Sequence, residues 1–220
     1  MRTPGADQEL AIGFLLTEGI ISNYKDLNKI IQADSNEICI ELNPEAHLDL
    51  SKIERHFYTS SSCGVCGKSS IDSVRTISEN KLVNTSFPIS KALILSLKDR
   101  MNLNQNVFES TGGLHASFLF DLEGNIISMF EDVGRHNALD KVIGSRFLDQ
   151  HFPLDKCILL LSGRASFELI QKAVMANISI ICALGAPSSL AIKLAKEFNL
   201  TLIGFLKNSS FNLYHGVIKD

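Results

Sequence analysis

An α/β fold with a parallel sheet covered by helices is predicted by three features in the second half of this 220-residue chain. Short, nearly unbroken apolar runs recur, as KCILLLS, ISIICAL and LTLIGFL. Stretches with helical apolar spacing, GRASFELIQKAVMAN and GAPSSLAIKLAKEFN, separate them, and a third such stretch, GRHNALDKVIGSRF, precedes them. A strand that is apolar on successive residues needs cover on both faces, the usual condition of parallel strands joined through helices by right-handed crossovers.

The earlier elements are mixed α and β. Pro4-Gly5 marks a turn, Asp7 is placed to cap a helix, and LAIGFLLTEGI carries helical spacing. LNKIIQ and NEICIEL read as short strands, SKIERHFYTS leads into a Ser/Gly-rich stretch, and KSSIDSVRT reads as a short helix after it. ISKALILSLKDRMNL has the period of an amphipathic helix. GLHASFLFD and NIISMFED alternate and are joined by LEGN, a hairpin signature that puts Leu114, Ala116, Phe118 and Phe120 on one face. The softest boundary is TISENKLVNTSFP, residues 76–88, which divides a smaller α+β N-terminal part (1–80) from the α/β part (81–220).

Composition narrows the functional classes. With 45% hydrophobic and 20% charged residues the chain reads as a soluble globular protein. Its apolar runs fall short of the ~20 residues of a membrane helix, and MRTPGADQEL has no apolar signal region, so the expected location is the cytoplasm, away from membranes. A net charge of −3 argues against nucleic acid as a partner. Of five cysteines, Cys39, Cys157 and Cys182 lie in β-like apolar runs and are expected to be buried thiols.

Cys63 and Cys66 stand apart, in TSSSCGVCGKSS, with a single valine for apolar company. This placement points to sulfur chemistry. A carrier of sulfur needs a thiolate nucleophile and a segment able to meet two partners in turn. Residues 59–71 contain no carboxylate, and Lys68 is near in sequence. Zinc is a weaker reading, because one CxxC supplies half of a usual tetrahedral set, with His56, His115 and His136 as distant ligands; no structural metal is expected. A thioredoxin-like exchanger would place CxxC at a helix start directly after a strand. A zinc deaminase needs H-x-E, whereas this chain has His115-Ala116-Ser117 and no later cysteine pair.

Two loops of small residues follow strands and open helices, SGRAS (162–166) and GAPSS (185–189). Ser162, Gly163, Arg164 and Ser188 are therefore candidates for holding an anionic ligand, through first-turn amides and a guanidinium fork. The competing reading makes Ser162 and Ser188 simple helix caps and Pro187 a helix start. In EDVGRHNALDK, Asp132 reads as a cap, and Arg135, Asp140 and Lys141 as a solvated face. His115 follows Gly112 and Gly113, which suggest close backbone approach.

The succession GFLLTEGII, SSCGVCGKSSID, TGGLHAS, EDVGRHNALDKVIG, SGRASFELIQKA, APSSLA and LTLIGF resembles the formate dehydrogenase accessory protein family, FdhD, over nearly the whole chain. The resemblance implies a main domain like that of cytidine deaminase and a homodimer. It also implies a cytoplasmic sulfurtransferase that accepts persulfide sulfur from a cysteine desulfurase. The sulfur passes to the molybdenum bis(molybdopterin guanine dinucleotide) cofactor that formate dehydrogenase requires. A non-catalytic chaperone for that cofactor is the alternative. The family's cysteine motif falls on Cys63 and Cys66, with Cys63 as the persulfide-bearing position. Its guanine-nucleotide segment falls on Phe205, Leu206, Lys207, Asn208, Ser209 and Ser210. There this chain has KNSS where the family commonly has Gly-Asp flanked by arginines, which leaves one lysine for charged contacts. Family members also carry sequence before the position of MRTPG.

Overall fold

The computed structural model describes residues 1–46, 87–103 and 113–220. In chain order these form α1 (Asp7–Thr17), a 3₁₀ turn (Tyr24–Asp26), β1 (Leu27–Asp34), β2 (Glu37–Leu42), β3 (Ile89–Ser90), α2 (Lys91–Asn102), β4 (His115–Phe120) and β5 (Ile126–Asp132). There follow α3 (Arg135–Leu148), β6 (Ile158–Leu161), α4 (Phe167–Met175), β7 (Ile180–Ala183), α5 (Ser189–Glu197), β8 (Thr201–Gly204), β9 (Asn212–His215) and β10 (Ile218–Lys219). The predicted helix at KSSIDSVRT and the cysteine pair lie outside the described residues.

The principal sheet has the order β5-β4-β6-β7-β8-β9. Its centre, β6-β7-β8, is parallel as the apolar runs predict, and antiparallel strands β4 and β9 flank it, so the sheet is mixed. Alternate residues of the central strands serve two cores. Leu159, Leu161, Ile181, Ala183 and Leu202 face the core shared with α1, α3, α4 and α5. Ile158, Leu160, Ile180, Cys182 and Ile203 face the core built with α2. Ala116, Phe118 and Phe120 share the latter face, as the hairpin period predicts. Asp121 shapes the hairpin turn by accepting N–H bonds from Glu123 (3.0 Å) and Asn125 (2.7 Å).

Helix α3 is the hub of the first core. It crosses α1 where Gly13 meets the backbone of Asp140 and Gly144 meets that of Glu9, and a Cβ at either glycine would collide with a carbonyl oxygen. The solvated face expected around Asp140 and Lys141 is not what forms: both residues are buried. Leu139, Val142, Ile143 and Phe147 bury the helix nearly all round, so the two charges must find internal partners. Lys141 Nζ pairs with Asp132 Oδ2 at 2.8 Å and donates to the Thr3 carbonyl at 2.8 Å. Lys172 of α4 pairs with Asp140 at 2.8 Å, donates to Thr17 Oγ1 at 2.9 Å and lies 3.6 Å from Glu18.

Three local expectations are corrected. Asp7 does not cap α1; Ala6 occupies that position and Asp7 accepts from Arg2 instead. Asp132 binds Gly134 N–H (2.8 Å), Asn137 (3.0 Å) and Lys141, while Gly134 is the N-cap of α3. Cys39 is exposed, because β1 and β2 form a separate two-stranded ribbon whose outer face carries Glu37, Cys39 and Glu41. Cys157 and Cys182 are buried as expected, and burial pushes their thiols up to about 11 and about 12. Among the described residues no helix is long and apolar enough to cross a membrane.

Candidate functional site

The carboxyl ends of β6 and β7 continue into the two small-residue loops, and the loops are zipped together by backbone bonds. Gly185 donates to the Gly163 carbonyl at 3.0 Å, Ala165 to that of Ala186 at 3.2 Å and Ser188 to that of Ala165 at 3.0 Å. Small side chains permit this parallel contact, and it fixes the starts of α4 and α5 side by side. Ser188 caps α5, its hydroxyl accepting from Ala191 N–H at 3.1 Å. Ser162 caps nothing; its hydroxyl accepts from Ala116 N–H at 2.8 Å and ties the loop to β4. Ser166 holds the N-cap position of α4 without making a side-chain cap bond.

Above these helix starts lies a cavity of about 410 Å³. Arg164 and Ser188, both expected from the sequence, line it together with Arg135, Ser166, Phe167 and Glu168. Its size falls in the range of small-molecule sites. Several of its polar groups lack partners among the described residues. Arg135 Nε and Ser166 Oγ are buried with no hydrogen bond, as is the neighbouring His136 Nε2. Arg164 is exposed, and among the described residues its guanidinium has no hydrogen bond or ion pair. Buried polar atoms are normally satisfied, so these groups make the cavity a candidate site for an anionic or strongly accepting ligand.

Gly163 packs under His115: a Cβ there would sit 3.2 Å from His115 Nδ1. Burial, then the charge of Arg135, holds His115 below the ordinary imidazole range. His136 is pushed down to about 4 by burial, then by Lys172 and Arg135, against the pull of Glu168 and Glu18. A histidine neutral in the fold and titrating near 6.5 when unfolded is the same in both states above that pH. Between about 6.5 and 4 the unfolded chain takes up a proton that the folded one refuses, so stability falls as pH drops through this window. The expected loss is up to about 3 kcal/mol. Urea unfolding at pH 7 and pH 4.5 should show a smaller drop in His136→Gln than in the parent.

The segment from Phe205 to Ser210 does not line this cavity. Leu206 is buried in the α2-side core, Asn208 Nδ2 donates to Asp99 Oδ1 of α2 at 2.9 Å, and Lys207 N–H closes a turn onto the Ser210 carbonyl at 2.8 Å. Phe205 is exposed with φ of 52° and donates its N–H to the Gly185 carbonyl at 3.1 Å, which sets it beside the GAPSS loop. The segment and the cavity therefore flank the same loop from two sides. Glu168 is not singled out by the sequence, while Arg135 reads there as part of a solvated face and His136 only as a distant zinc ligand. A signal for Arg135 and His136 is present, since GRHNALDK opens a helix immediately after a strand at the same end of the sheet.

The family model described as the FdhD/NarQ family matches residues 1–219. The chain belongs to that family. Relatives described as "Sulfur carrier protein FdhD" include one from Streptomyces coelicolor, 45% identical over 98% of this FdhD/NarQ chain and 80% of its own length. Another, from Picrophilus torridus, is 46% identical over 97% of this chain and 80% of its own, and one from Saccharolobus solfataricus is 40% identical over 97% and 79%. Among solved structures, a protein from Desulfotalea psychrophila described as a candidate formate dehydrogenase accessory protein superposes with a TM-score of 0.75. It shares 22% identity and covers 98% of this chain and 80% of its own, which establishes a common fold.

Proposed function

We propose that this protein is a sulfurtransferase that takes sulfur from a cysteine desulfurase and delivers it to the molybdenum bis(molybdopterin guanine dinucleotide) cofactor destined for formate dehydrogenase. The observation that carries the reading is the CGVC sequence at 63–66 in a chain 40–46% identical to proteins described as sulfur carriers. In the first step the Cys63 thiolate attacks the outer sulfur of the donor's persulfide; a new S–S bond forms at Cys63 and the donor cysteine leaves as thiolate. In the second, the Cys66 thiolate attacks Cys63 Sγ, a Cys63–Cys66 disulfide forms, and the outer sulfur leaves as hydrosulfide for the acceptor. The two cysteines supply the two electrons, and a cellular thiol reductant resets the pair.

The cofactor enters as a substrate, and the cavity's residues fit its nucleotide end. Arg164, Arg135, the Ser166 hydroxyl and the first-turn amides of α4 and α5 offer donors to phosphate oxygens, and Phe167 adds an apolar wall. Ser162 and Gly163 hold the loop in place, while the Phe205–Ser210 segment extends the surface beyond GAPSS. The same reading includes a cytidine deaminase-like main domain for residues 81–220, a smaller part for residues 1–80 that carries the cysteine pair, a homodimer and a cytoplasmic location. Calorimetry should show GDP binding more tightly than AMP, and Arg164→Ala should weaken GDP by about 1.5–3 kcal/mol, the worth of a charge-assisted hydrogen bond. Equal affinities for the two nucleotides would count against the nucleotide site, and an unchanged Arg164→Ala would remove that residue from it.

A further inference from the structure

One wall of the cavity is acidic, which a site for phosphate alone would not require. Glu168 stands in the first turn of α4 and lines the same cavity as Arg135 and Arg164. It forms an ion pair with neither arginine, and His136 Nε2 lies 4.0 Å from its Oε2, beyond hydrogen-bond reach. Its side chain is 27% exposed, so water reaches it only in part. The ring of His136 stays neutral in this setting and does not cancel the charge. Among the described residues the cavity thus joins two cations without an ion pair to one carboxylate that pairs with neither of them, with Phe167, Pro187 and Leu190 as apolar lining. Such a lining suits a ligand that is anionic at one end and offers N–H donors at the other.

Among nucleobases, guanine alone presents two adjacent donors, N1–H and the 2-amino group, spaced for the two oxygens of a carboxylate. Adenine and cytosine set an acceptor beside their amino group, and uracil flanks its single N–H with carbonyls; each of these would aim lone pairs at the acid. We infer that Glu168 is the residue that selects guanine in this cavity, its carboxylate accepting from N1–H and the 2-amino group while Arg135 and Arg164 take the phosphates. The inference rests on the nucleotide reading proposed above and adds to it the source of base specificity.

The test is calorimetric titration of the full chain with GDP, IDP and ADP, in the parent and in Glu168→Gln. Inosine lacks the 2-amino group, so the GDP-to-IDP ratio isolates that contact. The parent should favour GDP over IDP. Glu168→Gln, whose amide can accept at only one of its two atoms, should lower GDP affinity roughly tenfold to a hundredfold and bring GDP and IDP close to equality. ADP binding should stay as in the parent, which also reports that the variant is folded. A GDP preference that survives in Glu168→Gln overturns the inference and leaves the nucleotide reading intact. Equal loss of all three nucleotides overturns it too, because a selectivity residue acts on the base edge. A parent that binds GDP no better than ADP overturns both.

Discussion

Cys63→Ala is expected to abolish sulfur delivery, with formate dehydrogenase matured in its presence no more active than dehydrogenase matured without the carrier. The proposed sequence has one nucleophile for the donor persulfide, and the described cysteines are not placed to take over its part. Cys157 and Cys182 are buried with their thiols pushed up to about 11 and about 12, which leaves almost no thiolate at neutral pH. Cys39 is exposed on the outer face of the β1–β2 ribbon, between Glu37 and Glu41, and has no second cysteine at CxxC spacing to complete the disulfide-forming step. Cys66→Ala should behave differently. Loading at Cys63 continues, the persulfide lives longer, and delivery slows because the disulfide-forming step is lost. Labelled sulfur followed on each variant separates the two roles; a Cys63→Ala protein that charges and delivers at the parent rate would reverse or remove them.

The largest expected effect on stability comes from Lys172→Met. Lys172 and Asp140 are buried together, with Thr17 Oγ1 donating to Asp140 Oδ1 at 2.9 Å and Phe14 lying under the ammonium at 5.6 Å. Burial opposes the charge on Lys172, but the carboxylates of Asp140 and Glu18 outweigh it and hold its pKa above the ordinary value. Removing the lysine leaves a carboxylate in the junction of α1, α3 and α4 without its cation, at a cost of about 3–5 kcal/mol. In the variant, burial raises the folded pKa of Asp140 above its unfolded value. The penalty should therefore be largest at neutral pH and shrink as pH falls and the carboxyl takes up a proton. Lys172→Met with Asp140→Asn should recover part of the loss. Urea unfolding at two pH values checks both statements, and a single variant within about 0.5 kcal/mol of the parent would contradict the first.

Much of this fold was legible because burial on both faces leaves a plain mark. KCILLLS, ISIICAL and LTLIGFL have no polar alternation to mistake, and each became a central strand. The two loops were legible as loops for a related reason: small residues between such a strand and a helix let the two backbones approach and bond to each other. The charged helix start was misread because sequence charge was taken for solvent exposure. Asp140 and Lys141 sit between Leu139 and Val142, and a helix apolar on both sides of a charged pair is buried with its charges paired internally. Cys39 shows the reverse error. NEICIEL looks apolar as a run, yet its period of two sets Cys39 with Glu37 and Glu41 on the exposed face. Glu168 could not be recognised from the sequence because its meaning depends on Arg135, which is distant in the chain and brought to the cavity by the pairing of β4 with β6.

The most direct test of sulfur carriage is the intact mass of the protein after incubation with a cysteine desulfurase and cysteine. The account predicts a gain of one sulfur atom on Cys66→Ala, which cannot discharge its persulfide into a disulfide, removed by a thiol reductant and absent from Cys63→Ala. A Cys66→Ala chain that gains no sulfur, or a Cys63→Ala chain that gains as much, would contradict it.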